Sequence, residues 1–241
     1  MCARFTLTAE QKDILKSYPF QFTGEYQPDS NIAITESGFI ITADEPDLIQ
    51  RMGFGIIPYW AKSKRLEYDT WNIRSEEVME KPTFAPLIEN HKTCLVIADG
   101  FYEFEGLPDG RRQPWRFIVN NRKTFVMAGL WSEWVDPETN EAFRTFGIMT
   151  TVANKMVARI HKKKRMPVIL PLKFEKRWLN KKLSSEELLK LCTTLPDASM
   201  SCFKVSPKVN KVSTKKMPNK GIDLAKPYNT DDEPMQGKLD L

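Results

Sequence analysis

The sequence predicts an α+β domain built on a mainly antiparallel, barrel-like β-sheet core with flanking helices. Three observations predict this class. Short runs of β-branched and aromatic residues, bounded by turn-forming residues, recur along the chain, as is typical of strands. Helical segments are few and do not alternate with strands, as they would in a parallel βαβ sheet. The length of 241 residues suits one large domain or two small ones, with enough chain to bury a real core.

The N-terminal half is predicted to hold one short helix, at Gln11–Ser17, and a series of strands. A turn at 36–38 separates the first two strands. Pro58 ends the third, because proline has no N–H for a sheet ladder, and Asp99-Gly100 interrupts the fourth. The predicted strands are 32–35, 38–42, 52–58, 94–98 and 101–104.

The C-terminal half is predicted to mix strands and helices. Segments 115–119 and 124–130 predict a hairpin around the turn 120–123, and 143–151 predicts another strand. Further predicted elements are a helix over 152–160, an extended segment over 168–170, and helices over 174–179 and 185–192, the last capped by Ser184 or Ser185. We expect a single domain over 2–224 and a loose polar tail over 225–241.

Composition argues against several classes of protein. No run approaches the about 18 apolar residues of a membrane-spanning helix, and no basic-then-apolar start indicates a signal peptide. The chain has four cysteines and two histidines, widely spaced and without a CxxC pair, so we expect no metal and no other cofactor. We expect a monomer in a reducing, cytoplasmic setting with no membrane partner.

Positive charge is concentrated in two stretches. One is the block His161–Arg165, and the other contains the lysines Lys204, Lys208, Lys211, Lys215, Lys216 and Lys220. Such patches attract polyanions such as nucleic acid, and the attraction weakens with salt. A solvated lysine-rich face is the alternative interpretation of the same pattern.

Cys2 directly follows the initiator Met1. If Met1 is removed, Cys2 carries a free α-amine and a thiol on adjacent carbons, a pair that no internal residue offers. The amine forms an imine with an aldehyde, and the thiol then closes a five-membered thiazolidine. The α-amine titrates near ~8 and an ordinary thiol near ~8.5, so both groups are partly active at neutral pH.

Four segments place polar side chains among apolar neighbours. They are Cys2 with Arg4, Trp71–Glu76 (WNIRSE), Ala98–Phe104 (ADGFYEF), and Ile160-His161 running into Arg165–Leu170 (RMPVIL). In this order and spacing they closely resemble the SRAP family of abasic-site-processing proteins, first named SOS-response-associated peptidases. The resemblance runs from Cys2 to about Leu224 and includes the segment Val205–Asn210 (VSPKVN) near the C-terminus.

The chain departs from the family pattern at three places. Ala3 stands where the family usually has glycine, and Ile73 stands between Asn72 and Arg74 where a small residue is usual. The segment 31–35 occupies the region of the family's Tyr-Asn-x-Ala-Pro sequence but lacks the proline. DNA contacts are therefore not assigned to 31–35.

The resemblance implies catalytic roles for four residues. Cys2 is the nucleophile that forms the thiazolidine. Glu103, framed by aromatic residues, opens the closed sugar of an abasic site and moves protons as the imine forms. His161 lies against the sugar and holds its oxygen or shuttles a proton. Asn72 fixes the Cys2 backbone or the sugar by hydrogen bonds.

Seven further residues are candidates for DNA contacts. Arg4 and Arg74 would grip phosphates, since a planar guanidinium matches two phosphate oxygens, and Thr150 matches a threonine near the family's site. Lys162 and Lys163 belong to the basic block. Trp60 and Phe104 are stacking candidates for unpaired bases, with a core position as the alternative for both.

The sequence therefore predicts a sensor of abasic sites in single-stranded DNA that forms a covalent DNA–protein crosslink through Cys2 and shields the lesion from strand cleavage. DNA repair, and the SOS response that the family name mentions, are its expected context. The family's peptidase label is interpreted as removal of Met1, and lyase-type chemistry at the lesion stays open. One alternative is a cysteine peptidase or N-terminal-nucleophile hydrolase using Cys2, His161 and Asn72. Another is a non-catalytic single-strand binder.

Overall fold

The computed structural model of the protein describes residues 3–214 and 218–228. Cys2 and the stretch 229–241 of the predicted tail lie outside the described residues. Within this part of the chain the α-helices are α1 (Gln11–Ser17), α2 (Ala85–Glu89), α3 (Lys155–Ile160), α4 (Leu172–Trp178) and α5 (Ser185–Leu189). Single 3₁₀ turns cover Val78–Glu80, Asp197–Ser199, Pro207–Asn210 and Ile222–Ala225.

Strands make up most of the remaining regular structure. They are β1 (Arg4–Leu7), β2 (Gln21–Phe22), β3 (Asp29–Ala33), β4 (Ser37–Thr42), β5 (Leu48–Phe54), β6 (Asn72–Arg74), β7 (Thr93–Ala98), β8 (Gly100–Gly106), β9 (Arg112–Val119), β10 (Phe125–Val135), β11 (Ala142–Val152), β12 (Arg165–Pro167) and β13 (Met200–Lys204). The short strands β1, β2, β6, β12 and β13 were not predicted, because two to five residues of mixed polarity carry little periodicity.

Five strands close into a barrel in the order β11-β10-β7-β4-β5, with antiparallel pairing between neighbours. Parallel pairing of β5 with β11 completes the ring, with Gly53 opposite Thr145 and Phe54 opposite Phe146. The Phe54 and Phe146 rings stack at a centroid distance of 5.2 Å behind this seam. The predicted α+β class with a mainly antiparallel, barrel-like sheet is confirmed.

A second sheet of order β13-β9-β8-β1-β3 packs against the barrel. It is joined to the barrel where β7 ends and β8 begins, at Asp99. Phe5 of β1 contacts the ring of Phe54 edge-on at 5.5 Å, so the two sheets share one apolar core. Cys94, Trp131 and Trp134 are all buried in this part of the chain.

The predicted hairpin over 115–119 and 124–130 is wrong. β9 pairs with β8 and β13, whereas β10 pairs with β7 and β11. The chain crosses from one sheet to the other at this turn, where Asn121 has a φ of 59°, a conformation that asparagine tolerates better than most residues. A turn signal shows that the chain reverses but not which strands then pair.

The helix predicted over 152–160 begins later than expected. Val152 still belongs to β11, and Asn154 caps α3 by accepting a hydrogen bond from Val157 N at 2.9 Å. The predicted N-cap of α5 is confirmed, because Ser184 and Glu187 form a reciprocal capping box. No helix in the described ranges is long and apolar enough to cross a membrane.

The packed domain continues past the predicted boundary at 224. Leu224 and Ala225 are buried, and the Ala225 carbonyl accepts from Arg116 Nη1 at 3.2 Å. Tyr228 N donates to the Lys204 carbonyl at 3.0 Å. The first residues of the predicted tail, 225–228, therefore belong to the domain.

Asp99 fastens the N-terminal strand to the rest of the fold. Its Oδ2 accepts from the Thr8 hydroxyl at 2.7 Å and from Ala9 N at 2.8 Å, and its Oδ1 accepts from Thr6 and, at 2.9 Å, from Arg116 Nη2. In the Asp99–Arg116 ion pair the carboxylate is buried and the guanidinium is mostly buried, with side chains 7% and 12% exposed. A carboxylate that satisfies this many donors is stabilising because every buried charge is matched.

We expect Asp99→Ala to lower the free energy of unfolding by about 3–5 kcal/mol, because it leaves the mostly buried Arg116 guanidinium without its carboxylate. Urea denaturation measures the loss. The matched control is Asp109→Ala, which removes an exposed carboxylate paired with Arg111 and should change little. Equal stability of the two variants would show that Asp99 does not hold the sheets together.

Candidate active site

Glu103 is the central buried acid of the second sheet. It lies on β8 opposite Trp115 of β9, and its side chain is 2% exposed. Among the described residues, no group hydrogen-bonds to its Oε1 atom. Burial raises the pKa of Glu103 to about 8, because a charged carboxylate is poorly solvated there. At neutral pH the carboxyl group is therefore mostly protonated.

His161 faces this carboxyl group from the end of α3. Its Nδ1 accepts a hydrogen bond from Arg165 N at 3.2 Å, so the neutral ring carries its proton on Nε2. Nε2 lies 3.7 Å from Glu103 Oε2. Burial lowers the pKa of His161 to about 4, since the imidazolium form is also poorly solvated. Glu103 and His161 thus meet as two neutral groups rather than as an ion pair.

A neutral carboxylic acid beside a neutral imidazole is suited to proton transfer. The acid can donate a proton to one oxygen of a substrate and accept one from another without creating a buried charge. The separation of 3.7 Å is too long for a direct hydrogen bond. Glu103 Oε1 has no hydrogen-bond partner among the described residues, and the two side chains do not bond to each other. Both can therefore form hydrogen bonds with a substrate.

Arg165 holds His161 in place. Its guanidinium forms a two-pronged contact with the carboxylate of Glu76, and its Nη2 donates to the Thr150 carbonyl at 2.7 Å and to the Thr150 hydroxyl at 3.2 Å. The Arg165 side chain is 8% exposed and that of Glu76 is 50% exposed. Partial burial alone would raise the pKa of Glu76, but the hydrogen bonds and charge of Arg165 bring it below its ordinary value.

Asn72 is positioned by β6, which pairs in parallel with β11 so that Asn72 lies opposite Ile148. The side chain of Asn72 is buried. Directly after this strand, Ser75 N donates a hydrogen bond to the Thr150 carbonyl at 3.0 Å. The segments 71–76 and 160–170, which the sequence singled out, therefore meet through Thr150 and Arg165. The segment 98–104 joins them where Glu103 faces His161.

The fourth predicted segment reaches this cluster through β1. Phe5 pairs with Phe101 and Thr6 pairs with Gly100. Continuing this antiparallel register by two residues sets Ala3 in line with Glu103. Cys2 itself, the predicted nucleophile, lies outside the described residues.

The predicted phosphate contacts differ in availability. Arg4 donates to the carbonyls of Val209, Asn210 and Lys211. Its guanidinium is therefore already engaged in hydrogen bonds within the protein. Arg74 is exposed and pairs with Glu77. The Thr150 hydroxyl is buried, donates to the Ile73 carbonyl at 3.2 Å and supports Arg165. DNA contacts by these three residues stay predictions.

The aromatic and lysine candidates for DNA contacts also differ in their exposure to solvent. Trp60 is 49% exposed, so an uncovered indole is available for stacking. Phe104 is partly buried against a small cluster that contains Tyr102 and Val205. Lys162 and Lys163 are exposed beside His161. These positions are compatible with the predicted contacts but do not test them.

Sequence reasoning missed the roles of Glu76, Arg165 and Asp99. Each stands inside a segment that was singled out, yet its partner lies far along the chain. The signal was present in residue type, since a charged residue inside an apolar strand needs a buried partner. Among the described residues, no group of three or more His, Cys, Asp or Glu side chains is arranged to hold a metal ion.

Comparison with known proteins identifies the family. The family model "SOS response associated peptidase (SRAP)" matches residues 1–212. The chain is 37% identical to the abasic site processing protein YoqW of Bacillus subtilis (strain 168) over 216 residues, which cover 87% of this chain and 94% of YoqW. It is 28% identical to the abasic site processing protein HMCES of Pongo abelii, covering 76% of this chain and 60% of that protein.

Solved structures agree with the fold. A crystal structure of a protein from Bacteroides thetaiotaomicron superimposes with a TM-score of 0.82 at 25% identity, covering 95% of this chain and 100% of that one. A protein from Bordetella bronchiseptica superimposes with a TM-score of 0.74 at 22% identity, covering 85% of this chain and 100% of that one. With the family model spanning most of its length and relatives above 30% identity, this chain belongs to the SRAP family.

Proposed function

We propose that the protein processes abasic sites in single-stranded DNA and forms a covalent crosslink to them through Cys2. The observation that carries the proposal is Glu103, a buried carboxylic acid with an unsatisfied Oε1 and a pKa of about 8, set 3.7 Å from a neutral His161. The relatives named abasic site processing proteins support the substrate class.

The first step is opening of the abasic sugar, which is mostly a closed hemiacetal. The anomeric hydroxyl loses its proton, the ring C–O bond breaks, and the ring oxygen gains a proton. Glu103 is protonated at neutral pH, so one carboxyl group can give a proton to the ring oxygen and take one from the hydroxyl. His161 holds the oxygen with its Nε2–H. The product is a free aldehyde.

The second step joins protein and DNA. The α-amine of Cys2 adds to the aldehyde carbon, and loss of one water gives an imine. The thiol then adds to the imine carbon while its proton passes to the nitrogen, which closes the thiazolidine. The register of β1 supports this assignment, because it sets Ala3 in line with Glu103. Cys2 precedes Ala3 directly, and consecutive Cα atoms are about 3.8 Å apart.

The peptidase alternative is less well supported. A cysteine peptidase needs a histidine that accepts the thiol proton and remains charged beside the thiolate. Burial lowers the pKa of His161 to about 4, and its Nδ1 already accepts from Arg165 N. His161 is therefore a weak base for a thiol. The family's peptidase label is interpreted as loss of Met1.

The proposal is tested by intact mass after mixing the protein with abasic single-stranded DNA. Wild type should lack Met1 and gain the mass of the strand minus one water. Cys2→Ala should give no adduct yet still bind undamaged strand, and Cys2→Ser should give no adduct stable to denaturant, because a hydroxyl closes a much weaker ring. A peptidase would ignore the lesion, a plain binder would release it in denaturant, and either outcome contradicts the proposal.

Glu103 should control rate rather than affinity. Glu103→Gln keeps the shape of the side chain but removes the transferable proton, so crosslinking should slow by roughly 10²–10⁴-fold. Single-turnover crosslinking at saturating protein measures the rate, and a titration with undamaged strand measures affinity. The matched control is Glu105→Gln, the same change two residues along β8, where Glu105 accepts from Trp115 Nε1 at 2.9 Å. Equal rates for the two variants would remove Glu103 from the chemistry.

Arg165 and Glu76 should act by positioning His161. Glu76→Gln weakens the anchor of the Arg165 guanidinium and so loosens the Arg165 N–H that fixes the imidazole. We expect crosslinking to slow by roughly 10- to 100-fold, as for a small misplacement of a reacting group. Glu80→Gln, an exposed change in the following 3₁₀ turn, should leave the rate unchanged.

NMR titration separates positioning from a general loss of stability. The chain has two histidines, so His91 is an internal reference. In Glu76→Gln the pKa of His161 should rise from about 4 towards the ordinary value near ~6.5 as the ring gains solvent. An unchanged His161 titration together with a slowed reaction would mean that Glu76 acts in another way.

A further inference from the structure

The segment between β5 and β6 is a projecting loop with closely spaced ends. Gly55 N donates to the Phe146 carbonyl, and Ile148 N donates to the Trp71 carbonyl. Both ends of the loop 55–71 are therefore fixed to one edge of β11, two residues apart. Loops with such geometry are frequently functional.

The loop is anchored from inside and uncovered outside. Ile56 is fully buried, and the Ala61 carbonyl accepts from the buried Trp134 Nε1 at 2.7 Å. The outer side carries Tyr59 and Tyr68, which are 64% and 46% exposed. Large exposed aromatic side chains on an otherwise well-anchored loop indicate a binding surface.

Behind this loop lies a cleft of about 920 Å³ between β5 and the start of β11. Its lining includes Arg51, Lys64 and Arg65, and none of the three forms an ion pair with a carboxylate within the described residues. The same lining contains Arg144, which pairs with Glu133, and the carboxylate of Glu141. Lys64 Nζ lies 3.3 Å from the centre of the Phe143 ring, which orders the loop against β11. The cleft thus places three cationic side chains beside aromatic surface.

Tyr68 connects this cleft with the candidate active site. It also lines a smaller cleft of about 290 Å³ that contains Asn72 and Arg74. The two clefts therefore meet at one exposed aromatic ring. Along β11, Thr145 lies five residues before Thr150, a distance of about 17 Å in a strand, so the larger cleft is separate from the catalytic cluster but reachable by a few nucleotides.

We propose that this cleft, lined by Arg51, Lys64, Arg65 and Tyr68, binds the single strand that flanks the lesion on one side. Cations that follow a backbone and aromatic rings that stack on bases are what a single strand requires. An acidic peptide would use the same cations but would gain little from Tyr68 on the path to Arg74. The inference rests on the proposed function and assigns the direction in which the strand leaves the site.

Binding of undamaged oligonucleotides of increasing length tests the proposal without relying on crosslinking. In the double variant Lys64→Gln with Arg65→Gln, affinity for long strands should fall, and the slope of log affinity against log salt should become shallower by about 1.4, from two lost phosphate contacts. Strands too short to span both clefts should bind as they do to wild type. Arg51→Gln, which does not touch the loop anchor, should give about half of the change in slope.

The control is Lys176→Gln with Lys182→Gln, which removes the same charge from exposed positions on α4 and just after it. Abasic strands extended on only one side of the lesion should reveal the polarity, since the variant should weaken binding of one series alone. Crosslinking at saturating protein should keep its wild-type rate. Equal loss for short and long strands, loss in the control, or binding of a polyglutamate peptide with no effect on DNA would each overturn the proposal.

Discussion

The placement of the active site depends on the hydrogen bonds made by one carboxylate, Asp99. This residue stands where the chain leaves the barrel strand β7 and enters β8, and it binds the Thr8 hydroxyl, Ala9 N and Arg116. Those bonds hold β1 in register with β8. An N-terminal residue can act as a nucleophile only if it is held at a fixed place, and ordering a terminus costs conformational entropy. The Asp99 network offsets that cost with bonds inside the fold.

A second constraint is that the two candidate catalytic groups are kept neutral by burial. Burial shifts the pKa values of Glu103 and His161 so that both groups stay uncharged near neutral pH. Ionising either group would therefore lower the stability of the folded protein. For Glu103 the pKa in the folded protein lies above the ordinary value, so the loss of folding stability that it causes grows as pH rises towards 8. For His161 the pKa in the folded protein lies below the ordinary value, so the loss of folding stability that it causes grows as pH falls towards 4. Between these limits the site keeps an acid and an imidazole ready without a buried ion pair.

The sequence was sufficient for the fold class, most strands and the four polar segments, because these depend on local periodicity and on residue type. It failed where the outcome depends on partners far along the chain. The turn at 120–123 has the same residues whether β9 and β10 pair or separate, and only the competing partners β8, β13, β7 and β11 decide between the two. Likewise the pairing of Glu76 with Arg165 joins two segments 89 residues apart, and nothing local distinguishes Glu76 from its neighbour Glu77, which pairs with Arg74 instead.

The barrel seam explains why the site and the cleft behind the loop occur side by side. β5 pairs with β11 over only two residue pairs before the chain leaves as the loop 55–71, and β6 then returns to the same edge of β11. The loop is thus an insertion between two segments that pair with neighbouring stretches of β11, and its length is not required by the strand pairing. That length supplies an exposed surface on one side of the return point and sets Asn72 and Arg74 on the other. The loop inserted at the barrel seam thereby links the candidate catalytic cluster with the surface on which we place the flanking strand.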